Sequence, residues 1–206
     1  MRPLVAVAVT AVVATAGAQP SPGPATTWPA RLQPAAREAL VALGDSARAA
    51  RLPVEPLYAK AAEGALKGAD DARIVAAVRK LAHELEAARA ALGAGGSPDE
   101  VLAGATALRL GVDLDALRRL AAANAAANAA RGASAAPLTV PLGVVSNLVT
   151  RGVPADVAMA TVGRLVARGV SAAEYVALSD AVDRDILAGV SPQAAAIARG
   201  RSIARP

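Results

Sequence analysis

The stretch LYAKAAEGALKG, residues 57–68, places Tyr58, Lys60, Glu63 and Lys67 within about three turns of one expected helix. At helical spacing Glu63 reaches Lys60 on one side and Lys67 on the other. Two of the chain's three lysines fall here, in a sequence whose other 19 basic residues are all Arg. Gly64 inside that helix costs about 1 kcal/mol against alanine, so a neighbouring helix or a ligand is expected to come close. Tyr58, Lys60, Glu63 and Lys67 are therefore the candidate binding residues. The plainer expectation for the same group is a solvated, ion-paired face with Gly64 in a helix contact.

Other chemistry-bearing residues offer less. His83 is the single histidine, so a Ser-His-Asp triad or a His-based metal site has to use it. The run HELE at 83–86 lacks the second His of a metalloprotease helix. Lys80 and Glu84 beside His83 mark a solvated face. Asp180, Asp183 and Asp185 gather three carboxylates, and two such groups would serve glycoside hydrolysis. Asp180 and Arg184 are four apart, which reads as an ordinary ion pair. Asp183 and Asp185 point to different sides. With one Trp, two Tyr and no Phe, aromatic platforms for sugars are nearly absent. No catalytic residue, metal ligand or cofactor is expected. A hydrolytic or lytic enzyme, the rival reading, needs a buried carboxylate at Glu63 or within 180–185.

The elements that position these residues repeat one grammar. Gly-Val followed by Asp, Pro or Ser occurs in LGVD (110–113), RGVP (151–154), RGVS (168–171) and AGVS (188–191). Glycine past a helix end takes a left-handed turn without a Cβ penalty. The Val behind it packs on the last turn, and Asp, Pro or Ser opens the next helix. Starts are expected at Pro34, at Pro53 or Pro56, at Asp70 or Asp71, at Ser97, Asp113, Pro154, Ser171 and Ser191. Ser97 with Glu100 and Ser171 with Glu174 form capping boxes. Gly44 interrupts the first helix and is expected to split it. The run AAANAAANAARGASAA (121–136) reads as a helix tail or a loose linker.

Pro53 precedes Gly68 by 15 residues, and Pro154 precedes Gly169 by the same distance. Three degenerate helical hairpins are expected near 53–92, 98–130 and 154–188. The fold class is all-α: an irregular, repeat-like array or bundle of antiparallel helical hairpins with roughly seven to nine helices. With so few aromatic residues, the core must be Leu, Val, Ile and Ala, which favours close helix approach.

The ends and the charge set the context. Arg2, the apolar run Leu4–Ala16 and Ala16-Gly17-Ala18 before Gln19 have the layout of a secretory signal over 1–18. Residues 19–33 read as a Pro-rich flexible leader. Trp28 within it either folds back on the body or meets a partner. N-terminal hairpins fill 34–130, a linker or hinge 131–137, a C-terminal hairpin region 138–200, and a basic tail 201–206. No later segment is long and apolar enough to span a membrane. The chain lacks Cys, which removes disulfides and thiolate metal sites. Abundant Ala and Arg fit a GC-rich bacterial genome. The net charge of +5 permits weak contact with anionic lipid or polysaccharide. No recognisable module points to nucleic acid. The leading expectation is an exported, periplasmic or secreted, non-enzymatic protein that binds a protein partner or itself.

Overall fold

The computed structural model describes residues 26–131 and 136–203. Among the described residues there are nine helices and no strand: α1 (Pro34–Ala49), α2 (Glu55–Leu66), α3 (Asp71–Leu92), α4 (Pro98–Arg109), α5 (Leu114–Arg131), α6 (Thr139–Thr150), α7 (Ala155–Arg168), α8 (Ala172–Leu187) and α9 (Pro192–Ile203). The all-α class is the one expected.

Six of the stops share one geometry, while α3 ends differently, at Gly93. The amides of Leu52, Ala69, Val112, Val153, Val170 and Val190 each donate to a carbonyl five residues back, at 2.8–3.3 Å. The residue before each of them is left-handed, with φ between 54° and 92°. This six-to-one bond satisfies a carbonyl that the helix end would otherwise leave unpaired. Leu52, Val112, Val153 and Val170 are buried behind it. Five of the six left-handed residues are Gly; the sixth is Arg51, φ 54°. Arg89 holds that turn, donating to the Arg51 carbonyl at 2.7 Å and to the Gly96 carbonyl at 2.6 Å.

The starts are equally local. Asp70 accepts from the Arg73 amide at 2.8 Å and Asp113 from the Ala116 amide at 3.0 Å. Both expected capping boxes form. Glu100 does more than close its box: its second oxygen accepts from the Leu138 amide at 3.2 Å, which ties the approach to α6 onto the start of α4.

Packing differs from simple hairpins. α2 lies against α3 as expected. α4, however, packs on α3 and α6 with little contact to α5, while α7 packs on α5, α6 and α9. The hairpins expected at 98–130 and 154–188 are therefore not the main pairings: α4 turns to α3 and α6, and α7 to α5, α6 and α9. The reason lies on α4. Val101 and Ala105 face one core, shared with Leu40, Leu57, Ile74, Val78 and Leu85. Ala107 faces a second, shared with Leu117, Leu142, Leu148, Val162, Leu165 and Tyr175. A helix with two apolar faces is wedged between layers, and the turn chemistry after it cannot choose its neighbour. The division between cores thus runs along α4, and α5 belongs to the second. Of the expected hinge at 131–137, residues 132–135 lie outside the described residues, as do the expected signal at 1–18, the leader up to 25 and the tail from 204.

Two further expectations change, and one open alternative is decided. α1 runs unbroken through Gly44, which is buried because the Trp28 ring lies where its side chain would be; a Cβ there would sit 3.1 Å from the indole. Of the helix tail or loose linker expected at 121–136, the helix tail forms as far as Arg131, since Leu120, Asn124 and Ala127, four and three residues apart, form one buried face. The leader is not free from Trp28 onward. Leu32 is buried, Arg31 donates to the Ala69 carbonyl at 2.7 Å, and the Gln33 amide donates to Asp71 at 2.8 Å.

Arg51 is the one non-glycine at a left-handed stop, a conformation that costs an L-residue with a Cβ about 1–2 kcal/mol. Arg51→Gly is expected to raise the unfolding free energy by about 1 kcal/mol in urea denaturation. An unchanged or lowered value contradicts the shared stop geometry.

Candidate functional site

The four candidate residues on α2 separate into two environments. Lys60, Glu63 and Lys67 share the outer face. Glu63 accepts from Lys60 at 2.9 Å and from Lys67 on the other side. The Glu63 side chain is 44% exposed, so it is no buried acid of the kind a hydrolase would need. Hydrogen bonds from Lys67 and then Lys60 pull its carboxyl down to about 2. Tyr58 is turned the other way, into the body. Its hydroxyl meets an Nη of Arg48, and its ring stands edge-on to Trp28 with centroids 4.5 Å apart. The expected four-residue site is therefore an exposed ion triad plus an unrelated buried tyrosine. Gly64 faces α3, where a Cβ would come within 2.9 Å of Ile74 Cγ1. A helix, rather than a ligand, occupies that approach.

Two of the three clustered acids, Asp183 and Asp185, meet cations. Asp185 takes a two-pronged contact from Arg199 of α9 at 2.7 and 2.6 Å, which lowers its pKa. Asp183 Oδ1 lies 2.6 Å from Arg151 Nη1 as an ion pair without hydrogen-bond alignment. The expected Asp180–Arg184 ion pair is not formed: Arg184 Nε donates instead to the Asp180 backbone carbonyl at 3.3 Å. The three carboxylates thus do not converge: Asp183 and Asp185 each hold a different arginine, and only the backbone carbonyl of Asp180 is engaged among the described residues. His83 is 70% exposed and 3.2 Å from Glu86, on an open face of α3, as expected for a surface residue. Tyr175 is buried, and that burial pushes its hydroxyl up to about 12. Among the described residues no group of three His, Cys, Asp or Glu could hold a metal ion, and no helix is long and apolar enough to cross a membrane.

Besides a wide, open depression of about 490 Å³ around His83, Lys80 and Leu108, two concave surfaces lie elsewhere. One is a groove of about 630 Å³ between α5 and α7, walled by Ala116, Leu120 and Ala123 on one side and Met159, Ala160 and Gly163 on the other. Asp113, Arg119 and Asp156 line it as well. The second, about 320 Å³, lies beside Trp28 and is lined by Arg37, Val41, Arg48 and Tyr58. Sequence reasoning missed both, although each leaves a trace. Arg37, Val41, Gly44 and Arg48 recur at i, i+4, i+7 and i+11, which is one face of α1. Ala116, Leu120 and Ala123 likewise share a face of α5. Neither pattern stands out in a chain where alanine and arginine are everywhere.

Comparison with protein-family models, with characterised proteins and with solved structures finds no match to this chain.

The Glu63 carboxylate is stabilised by its lysines, so its contribution is present above the ordinary carboxylate range and is lost as pH falls toward 2. Carboxyl-carbon NMR titration of the folded chain should place the Glu63 midpoint near 2. A midpoint at the ordinary glutamate value of about 4.3 contradicts the triad.

Proposed function

We propose that this chain is exported and acts by binding, as a helical interaction module of the cell envelope, rather than by turnover. The observation that supports this reading best is the α5–α7 groove. Its walls are mainly Ala, Gly, Leu and Met, and an Ala- and Gly-lined trough admits the close approach of another helix. An added Cβ on Gly163 would meet nothing within 4 Å, so the α7 wall of the groove is open at that point. The acids that a hydrolase would need lie instead on the surface or in contact with Arg and Lys. The partner is a protein helix, from another protein or from a second copy. Export rests on the composition of residues 1–18.

A photo-crosslinking residue at Ala160, on the groove wall, tests this in the cell. Ala72, exposed at the start of α3, serves as the control position. One discrete adduct from position 160, with the mass of a partner or of a dimer, is expected in the envelope fraction, on a chain whose N-terminus is Gln19. No adduct above the Ala72 control contradicts the binding reading. An adduct on a cytoplasmic chain that retains Met1 contradicts export.

A further inference from the structure

The pocket beside Trp28 has an imbalance of charge. Its lining includes two guanidinium groups, Arg37 and Arg48, and no carboxylate. Arg48 is compensated from outside the pocket by Asp45 at 2.6 Å, and its other arm meets the Tyr58 hydroxyl. Arg37 has no such partner. It is half-buried, and its Nη2 donates to the Pro29 and Ala30 carbonyls at 3.2 and 2.9 Å. Among the described residues nothing accepts from its Nε or Nη1, and no carboxylate pairs with it. A guanidinium drawn partly out of water with only neutral acceptors retains a full positive charge for an incoming anion. The apolar part of the wall is the indole of Trp28, the ring of Tyr58 and the side chain of Val41. Thr26 and Thr27 complete the lining.

We propose that this pocket binds a small monocarboxylate with an apolar or aromatic body, its carboxylate on Arg37 and its body against Trp28, Tyr58 and Val41. One uncompensated cation matches one negative charge. A volume of about 320 Å³ suits a small ligand and excludes a folded partner. The apolar walls favour a carboxylate that carries a body over inorganic phosphate, which would leave them wet. This site is separate from the α5–α7 groove and does not depend on it.

Trp28 is the only tryptophan in the chain, so its fluorescence reports the pocket directly. The purified chain is titrated with 3-phenylpropionate, with 3-phenylpropionamide and with inorganic phosphate, exciting at the red edge of indole absorption. A saturable change is expected with the carboxylate alone. Arg37→Gln should weaken it about tenfold or more, the loss of one charge-assisted contact. Because Arg37 also holds the Pro29–Ala30 carbonyls, Val41→Phe is measured beside it. That change narrows the pocket without touching those bonds, and it too should weaken binding. No saturable response to the carboxylate overturns the proposal. So does an equal response to the amide or to phosphate, or binding left intact in Val41→Phe.

Discussion

The amide two or three residues past a helix, bonded to a carbonyl five residues back, is the contact on which the rest of this protein depends. It recurs at Leu52, Ala69, Val112, Val153, Val170 and Val190. Each instance needs a left-handed residue just before it, and each turns the chain within two or three residues. An Ala-rich polymer would otherwise favour long uninterrupted helices. The stops cut it into pieces short enough to pack around two adjoining cores, with Leu52, Val112, Val153 and Val170 tucked behind the turns.

Short helices with small side chains must then come close. Gly64 meets Ile74, Gly104 lies near Ala88 and Leu117, and Gly200 abuts Thr161, where a Cβ would stand 2.5 Å from the Thr161 methyl. These approaches replace the aromatic bulk that the composition lacks. Where bulk does occur, it is used at two places. Tyr175 fills the second core, and Trp28 with Tyr58 closes the outside of the first over Gly44.

The local part of this fold is legible in the sequence. Stops at Gly68, Gly111, Gly152, Gly169 and Gly189, caps at Asp70, Ser97, Asp113, Ser171 and Ser191, and a helix count within the expected seven to nine all follow from residues a few positions apart. What is not legible depends on contacts across the fold. Arg51 makes the same stop as the glycines, yet no residue type announces it; Arg89, 38 positions away, holds its carbonyl. Gly44 looks like a helix breaker until Trp28 is seen to lie on it. The two-faced α4 decides which helices meet, and a stop motif carries no information about that choice. The site fared likewise. Lys60, Glu63 and Lys67 pair as their spacing requires, whereas Tyr58 leaves the group because the buried face of α2 points it at Arg48 and Trp28. Arg37 reveals itself only through the carboxylate that is missing around it.

Gly111 and Gly143 separate the central claim from ordinary helix propensity. Gly111 sits at a stop with φ 92°, Gly143 lies exposed within α6, and an added Cβ would touch nothing within 4 Å at either. Equilibrium urea unfolding of the two alanine variants is the direct measurement. Gly111→Ala should lose about 1 kcal/mol, while Gly143→Ala should gain up to about 1 kcal/mol. A neutral or stabilising Gly111→Ala would contradict the account.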